Sequence, residues 1–161
     1  MTSLTVWKFD DPNGASQALE SLKGLQEQHL IEIEDAAIVS WPQGKKKPKT
    51  HQTRLTGAGA LSGAFWGMLF GLLFFIPFFG MAVGAAMGAL AGHFADYGID
   101  DDFIKSVRSE VTEGTSALFL LSGEATVDKL EDQLKGKMGA LIRSNLSKEQ
   151  EAKLNEAFGE E

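Results

Sequence analysis

The residues able to do chemistry in this chain are few, and their spacing excludes more than it supports. His29, His51 and His93 are the only histidines, and they stand too far apart for the short ligand spacing of a metal motif. Cysteine is absent, so there is no thiolate ligand, thiol nucleophile or disulfide framework. No Ser/His/acid set and no Walker-type lysine loop is visible. Gly57-Ala58-Gly59-Ala60-Leu61-Ser62-Gly63 has the glycines of a dinucleotide loop between a candidate strand and a candidate helix. The acidic ribose ligand expected about 20 residues further on is missing, since the next acidic residue is Asp96. Asp100, Asp101 and Asp102 offer three carboxylates, but consecutive side chains at a helix start point in different directions. Capping and the helix dipole account for them without a metal. The expectation is therefore no catalytic residue, no cofactor and no metal.

The polar chemistry sits on either side of an apolar block. Residues 1–54 carry seven Lys/Arg and seven Asp/Glu, residues 55–95 carry none of either, and residues 96–161 carry eight basic and fifteen acidic residues. The net charge of −7 thus arises entirely after the block, and an acidic balance without a dominant basic face argues against nucleic acid as a partner. As helix, the 41 uncharged residues from Leu55 to Ala95 would extend about 60 Å, twice a hydrocarbon thickness. Pro77 near the middle fits the start of a second arm better than the interior of one helix. Gly59, Gly63, Gly67 and Gly71 are four apart, as are Gly80, Gly84, Gly88 and Gly92, so each arm carries a ridge of small residues. The two ridges mirror each other about the midpoint between Phe75 and Ile76 and would meet level by level in an antiparallel hairpin, or else meet other copies. Phe65, Trp66, Phe70, Phe74, Phe75, Phe78 and Phe79 then read as bulk facing lipid or neighbouring subunits. The tip, Leu72 to Phe79, has no polar side chain. These features predict a transmembrane glycine-zipper hairpin, with a deep re-entrant wedge as the alternative because each arm of about 18 or 19 residues is only just long enough to cross. Lys45, Lys46, Lys47, Lys49 and Arg54 beside the first arm put the flanking domain in the cytoplasm; the lysine run reads first as a solvated turn, with contact to anionic lipid headgroups as the functional alternative.

The flanks read as short alternating elements. Leu4–Phe9 predicts a strand, and Asp11 and Pro12 predict the start of a helix running to about Gln28, with Ala15, Ala18, Leu19, Leu22 and Leu25 on one stripe. Ile31 to Trp41 predicts a second strand, and Lys49–Thr56 a third, more polar one after the Gln43–Pro48 turn. Beyond the block, a helix capped by an Asp near 100–102 ends near Gly114, and Ala117–Leu121 reads as a buried strand. Ala125–Lys137 reads as a helix, Ala140–Ile142 as a brief strand, and Ser147 with Gln150 as the capping box of a terminal helix. The expected architecture is α+β. It comprises a ferredoxin-like split β-α-β sandwich (residues 1–56 and 96–146) interrupted by the hairpin (57–95) and followed by a helical tail (147–161).

Val6-Trp7-Lys8-Phe9, Ser40 to Pro48, Leu55 to Ala60, Gly98 to Phe103 and Thr115 to Phe119 together resemble the bacterial family called domain of unknown function 1269. The resemblance implies a bacterial membrane protein with no assigned activity, and it carries over no catalytic residue. The layout of domain plus glycine hairpin is more distantly similar to bacterial general stress proteins. The expected function is a non-enzymatic inner-membrane protein, anchored by a self-packing hairpin and forming homo-oligomers, with a structural or envelope-stress role. An oligomeric pore is one alternative, opposed by a lining whose polar residues are only Thr56, Ser62 and His93. A soluble or peripheral assembly whose hairpins bury one another is the other.

Overall fold

Thr115–Gly123 is the segment around which the fold is organised. It contains no charged residue and is buried from Thr115 to Ser122, a pattern that only a strand covered on both faces and both edges can satisfy. In the computed structural model, which describes residues 2–45, 48–53, 63–71, 73, 98, 99, 101–123, 126, 128–130, 132, 140–146, 149, 150, 152, 153 and 156, it is the centre of a five-stranded sheet. The strands are β1 (Thr2–Phe9), β2 (Ile33–Trp41), β3 (Lys49–Thr53), β4 (Thr115–Gly123) and β5 (Ala140–Leu146). Their order is β3-β2-β4-β1-β5, and every neighbouring pair is antiparallel.

The helices are α1 (Gly14–Glu27), α2 (Gly63–Phe70) and α3 (Asp101–Glu110); residues 126, 128–130 and 132 are also helical. Side chains alternate across the strands, so each strand supplies both faces of the sheet. On one face Trp7, Phe9, Ala36, Ile38, Leu118 and Leu120 meet the Ala15, Ala18, Leu19 and Leu22 stripe of α1, together with Leu130. On the other, Leu4, Val6, Ala37, Val39, Phe119 and Leu121 meet Trp66, Leu69, Phe70 and Leu73 from α2 and its continuation, and Phe103, Ile104 and Val107 from α3. The sheet is therefore the middle of three layers.

α1 starts two residues after the expected Pro12. Asp11 Oδ1 instead accepts the Asn13 N–H at 2.9 Å, and the helix begins at Gly14 after Asn13, whose side chain makes no capping bond. The cap comes from the sheet: Ser116 Oγ on β4 accepts the Ala15 N–H at 2.9 Å and donates to Asp11 O at 2.6 Å. Gly14 is required by a close approach, since a Cβ there would lie 2.5 Å from Phe9 Cβ.

Two expectations are corrected here. The strand near 49–56 is not one of four: Lys49–Thr53 is an added edge strand beside β2 in a five-stranded sheet, while β4 lying between β1 and β2 is the split β-α-β arrangement. The reason is compositional, because Lys-Thr-His-Gln-Thr tolerates an open edge while Ser-Ala-Leu-Phe-Leu-Leu does not. The transmembrane hairpin is corrected as well. α2, the described helix inside the apolar block, covers the eight residues Gly63–Phe70. No helix among the described residues is long and apolar enough to cross a membrane. Trp66 and Phe70, expected to face lipid or other subunits, are 2% and 4% exposed against the sheet. The inner-membrane placement and the pore, both of which need a spanning segment, are corrected on the same ground.

Candidate functional site

The site most distinctive of this chain is where the apolar block meets the sheet, and it depends on an irregularity in β2. Strict alternation would put Ile33 and Asp35 on one face. Between them the register on β4 slips, with Ile33 opposite Ser122 but Asp35 opposite Leu121, the one-residue excess of a β-bulge. Ile33 thereby joins Ala36 and Ile38 on the α1 face, while Asp35 falls in phase with Ala37 and Val39 on the α2 face. Asp35 is fully buried. Its Oδ1 accepts the Ala36 N–H at 2.9 Å and its Oδ2 accepts the Trp66 indole N–H at 2.7 Å. A buried carboxylate is tolerated only with such donors.

Trp66 brings the rest of α2 with it. Leu69, Phe70 and Leu73 follow at spacings of three, four and seven residues and are buried on the same cluster. Phe70 and Phe119 meet edge to face at 5.2 Å, and Trp66 and Phe119 at 6.4 Å. With that stripe seated inward, Gly67 is exposed and Gly71 half-exposed, and a Cβ on either would meet no described residue within 4 Å. The described part of the glycine ridge thus points away from the sheet. Gly63 opens α2. Gly59, Gly80, Gly84, Gly88, Gly92 and Pro77 lie outside the described residues.

Lys45, the first residue of the lysine run, closes a turn. Lys45 N–H donates to Pro42 O at 3.2 Å, and the Trp41 indole N–H donates to Lys45 O at 2.8 Å. Lys45 and Lys49 are exposed, whereas Lys46, Lys47 and Arg54 lie outside the described residues. Gly114 supports the same corner by donating its N–H to Trp41 O at 2.6 Å, with a left-handed φ of 81° that suits glycine.

A second feature was not foreseen as a site. At the end of α1 the His29 N–H donates to Gln26 O and the Leu30 N–H to Leu25 O, each at 3.0 Å. This is a Schellman stop with His29, φ 62°, in the left-handed position where glycine is usual. Beyond it opens a cleft of about 590 Å³ lined by Gln26, His29, Leu30, Glu32, Thr126 and Lys129 among others. Thr126 Oγ1 accepts the Glu32 N–H at 3.2 Å, Gln26 Oε1 accepts the Ile33 N–H at 3.3 Å, and Lys129 Nζ donates to Leu30 O at 3.0 Å. Sequence reasoning weighed His29 only as a metal ligand; among the described residues no group of three His, Asp or Glu side chains could hold a metal. The lining residues come from segments nearly a hundred positions apart, so only the fold joins them. A histidine directly after the apolar stripe of a helix was the one local signal.

No curated protein and no solved structure matches the chain. The profile of the family described as "Protein of unknown function (DUF1269)" matches residues 60–159, a span that starts beside α2 and runs through α3, β4 and β5, and the chain belongs to that family.

Proposed function

We propose that this protein is a non-enzymatic self-assembling protein, in which the three-layer domain is a rigid carrier and the apolar glycine-rich block joins one copy to another. The observation that carries the reading is the orientation of α2. Its bulky stripe is fastened to the sheet by Trp66 and Asp35, and its glycine edge at Gly67 and Gly71 has no described residue over it within 4 Å. Interior helix glycines cost on the order of 1 kcal/mol each relative to alanine, a cost that close approach of another backbone offsets. The uncharged run from Leu55 to Ala95 supports the same reading, because so long an apolar stretch is best removed from water by burial between chains.

The test is the mass of the untagged full chain by light scattering during gel filtration, alone and as a Gly67→Leu/Gly71→Leu double variant. The expected result is a defined oligomer that dissociates or becomes polydisperse in the variant. A wild-type chain that stays monomeric at concentrations of tens of micromolar overturns the proposal.

A further inference from the structure

We propose that the cleft at the end of α1 binds a small organic anion, an oxyanion head such as a carboxylate or phosphate carried on a short apolar body. The hydrogen-bond donors left over in the lining favour that class of ligand. Gln26 spends its carbonyl oxygen on the Ile33 N–H, which fixes the amide orientation and leaves both N–H donors of Nε2. Thr126, 8% exposed, spends an oxygen lone pair on the Glu32 N–H and keeps its O–H. Lys129 gives one N–H to Leu30 O, which holds the ammonium at the cleft with two donors left, and no described carboxylate pairs with it within 4.0 Å. Backbone N–H groups take one lone pair each of Gln26 Oε1 and Thr126 Oγ1, so Gln26, Thr126 and Lys129 together offer the cleft chiefly donors and one positive charge, with the Glu32 carboxylate as the opposing group in the lining.

The remaining lining fits the same ligand class. Leu30 is 49% exposed, the only large exposed hydrophobic among the described residues, and gives an apolar wall. His29 is held in a strained left-handed conformation, a condition that is over-represented at binding sites, and brings an imidazole to the rim. The cleft volume of about 590 Å³ lies within the range usual for small-molecule sites. Glu32 is the one carboxylate in the lining; it is exposed and opposes an anion from the rim, which makes it a probe of the sign of the ligand.

Ligand-observed saturation-transfer NMR on the full chain tests this at any oligomeric size, so its outcome is independent of assembly. The probes are sodium hexanoate, n-hexyl phosphate and inorganic phosphate, titrated against chloride at equal ionic strength. Saturable binding of a hexyl probe is expected; preference for hexanoate or for hexyl phosphate identifies the head group, and inorganic phosphate should bind more weakly than its hexyl ester. Lys129→Met should weaken binding about tenfold, the loss of one charge-assisted hydrogen bond. Glu32→Gln, at an exposed position, should tighten it by roughly two- to fivefold. No saturable binding of any probe, or affinities unchanged in both variants, overturns the proposal.

Discussion

The indole nitrogen of Trp66 donates to Oδ2 of Asp35 across 2.7 Å and 31 positions of sequence, with both side chains at 2% exposure or less. This contact decides how the apolar block is used. A tryptophan on a spanning arm would lie in hydrocarbon or at its boundary; here it is committed to a carboxylate within the domain core. Asp35 reaches it only because the bulge between Ile33 and Asp35 turns the carboxylate to that face.

Removing either partner leaves the other buried, which costs more than the bond itself contributes. Trp66→Phe should destabilise the chain by about 1–3 kcal/mol, and Asp35→Ala by about 2–4 kcal/mol. The Trp66→Phe/Asp35→Ala double variant should lose less than the sum. Urea unfolding at fixed protein concentration measures all three. Additive losses would mean that the two side chains are not coupled.

Ser116 should behave as the cap of a helix it does not belong to. Its hydroxyl bridges Ala15 N and Asp11 O, and Asn13, next to the helix start, contributes no side-chain cap. Ser116→Ala should cost about 1–2 kcal/mol, like loss of an ordinary N-cap. Ser109→Ala, at an exposed hydroxyl bonded only to Ser106 O in its own helix, should cost less than about 0.5 kcal/mol. Equal effects in thermal unfolding would rule out the capping role.

The left-handed residues give opposite signs. His29 has φ 62°, where a Cβ costs about 1–2 kcal/mol, so His29→Gly should raise stability by about 0.5 kcal/mol after the extra freedom of glycine in the unfolded chain is subtracted. Gly114 has φ 81°, and a Cβ there would lie 2.7 Å from Gln43 Oε1. Gly114→Ala should therefore destabilise by about 1–2 kcal/mol. Melting temperatures of the two variants check both signs.

Local pattern made much of the sheet legible. Val6 to Phe9 and Ala117 to Leu121 announce strands through β-branched and aromatic residues, and Ala15, Ala18, Leu19 and Leu22 announce the buried stripe of α1. Strand order was partly implicit in polarity, since Lys49–Thr53 suits an edge and Thr115–Gly123 suits the centre. The bulge was not legible: Ile31, Ile33 and Asp35 look like uninterrupted alternation, and only pairing with β4 shows the slip. The block from Leu55 to Ala95 misled because periodicity measures how apolar a face is and not what covers it. Trp66, Leu69 and Phe70 suit lipid and a sheet equally, and the partner that decides, Asp35, belongs to a strand read as ordinary. The cleft was hidden for a related reason, as Gln26 and Lys129 acquire a common purpose only once α1 and the residues after β4 lie on one face.

Gly67 offers the sharpest separation of packing within a chain from packing between chains. It sits in α2, is exposed, and a Cβ there would meet no described residue within 4 Å. For an isolated chain Gly67→Ala is therefore a pure gain in helix propensity of about 1 kcal/mol. Where another backbone approaches that edge, the same methyl group holds the two apart and weakens their contact. The expected outcome is both at once: higher resistance to urea under dilute conditions that dissociate the assembly, and a lower average mass at concentrations that favour it. Stabilisation with no change in mass would show that copies meet elsewhere. Destabilisation of the dilute chain would show instead that the glycine edge is covered from within the same molecule, and self-assembly through α2 would have to be abandoned.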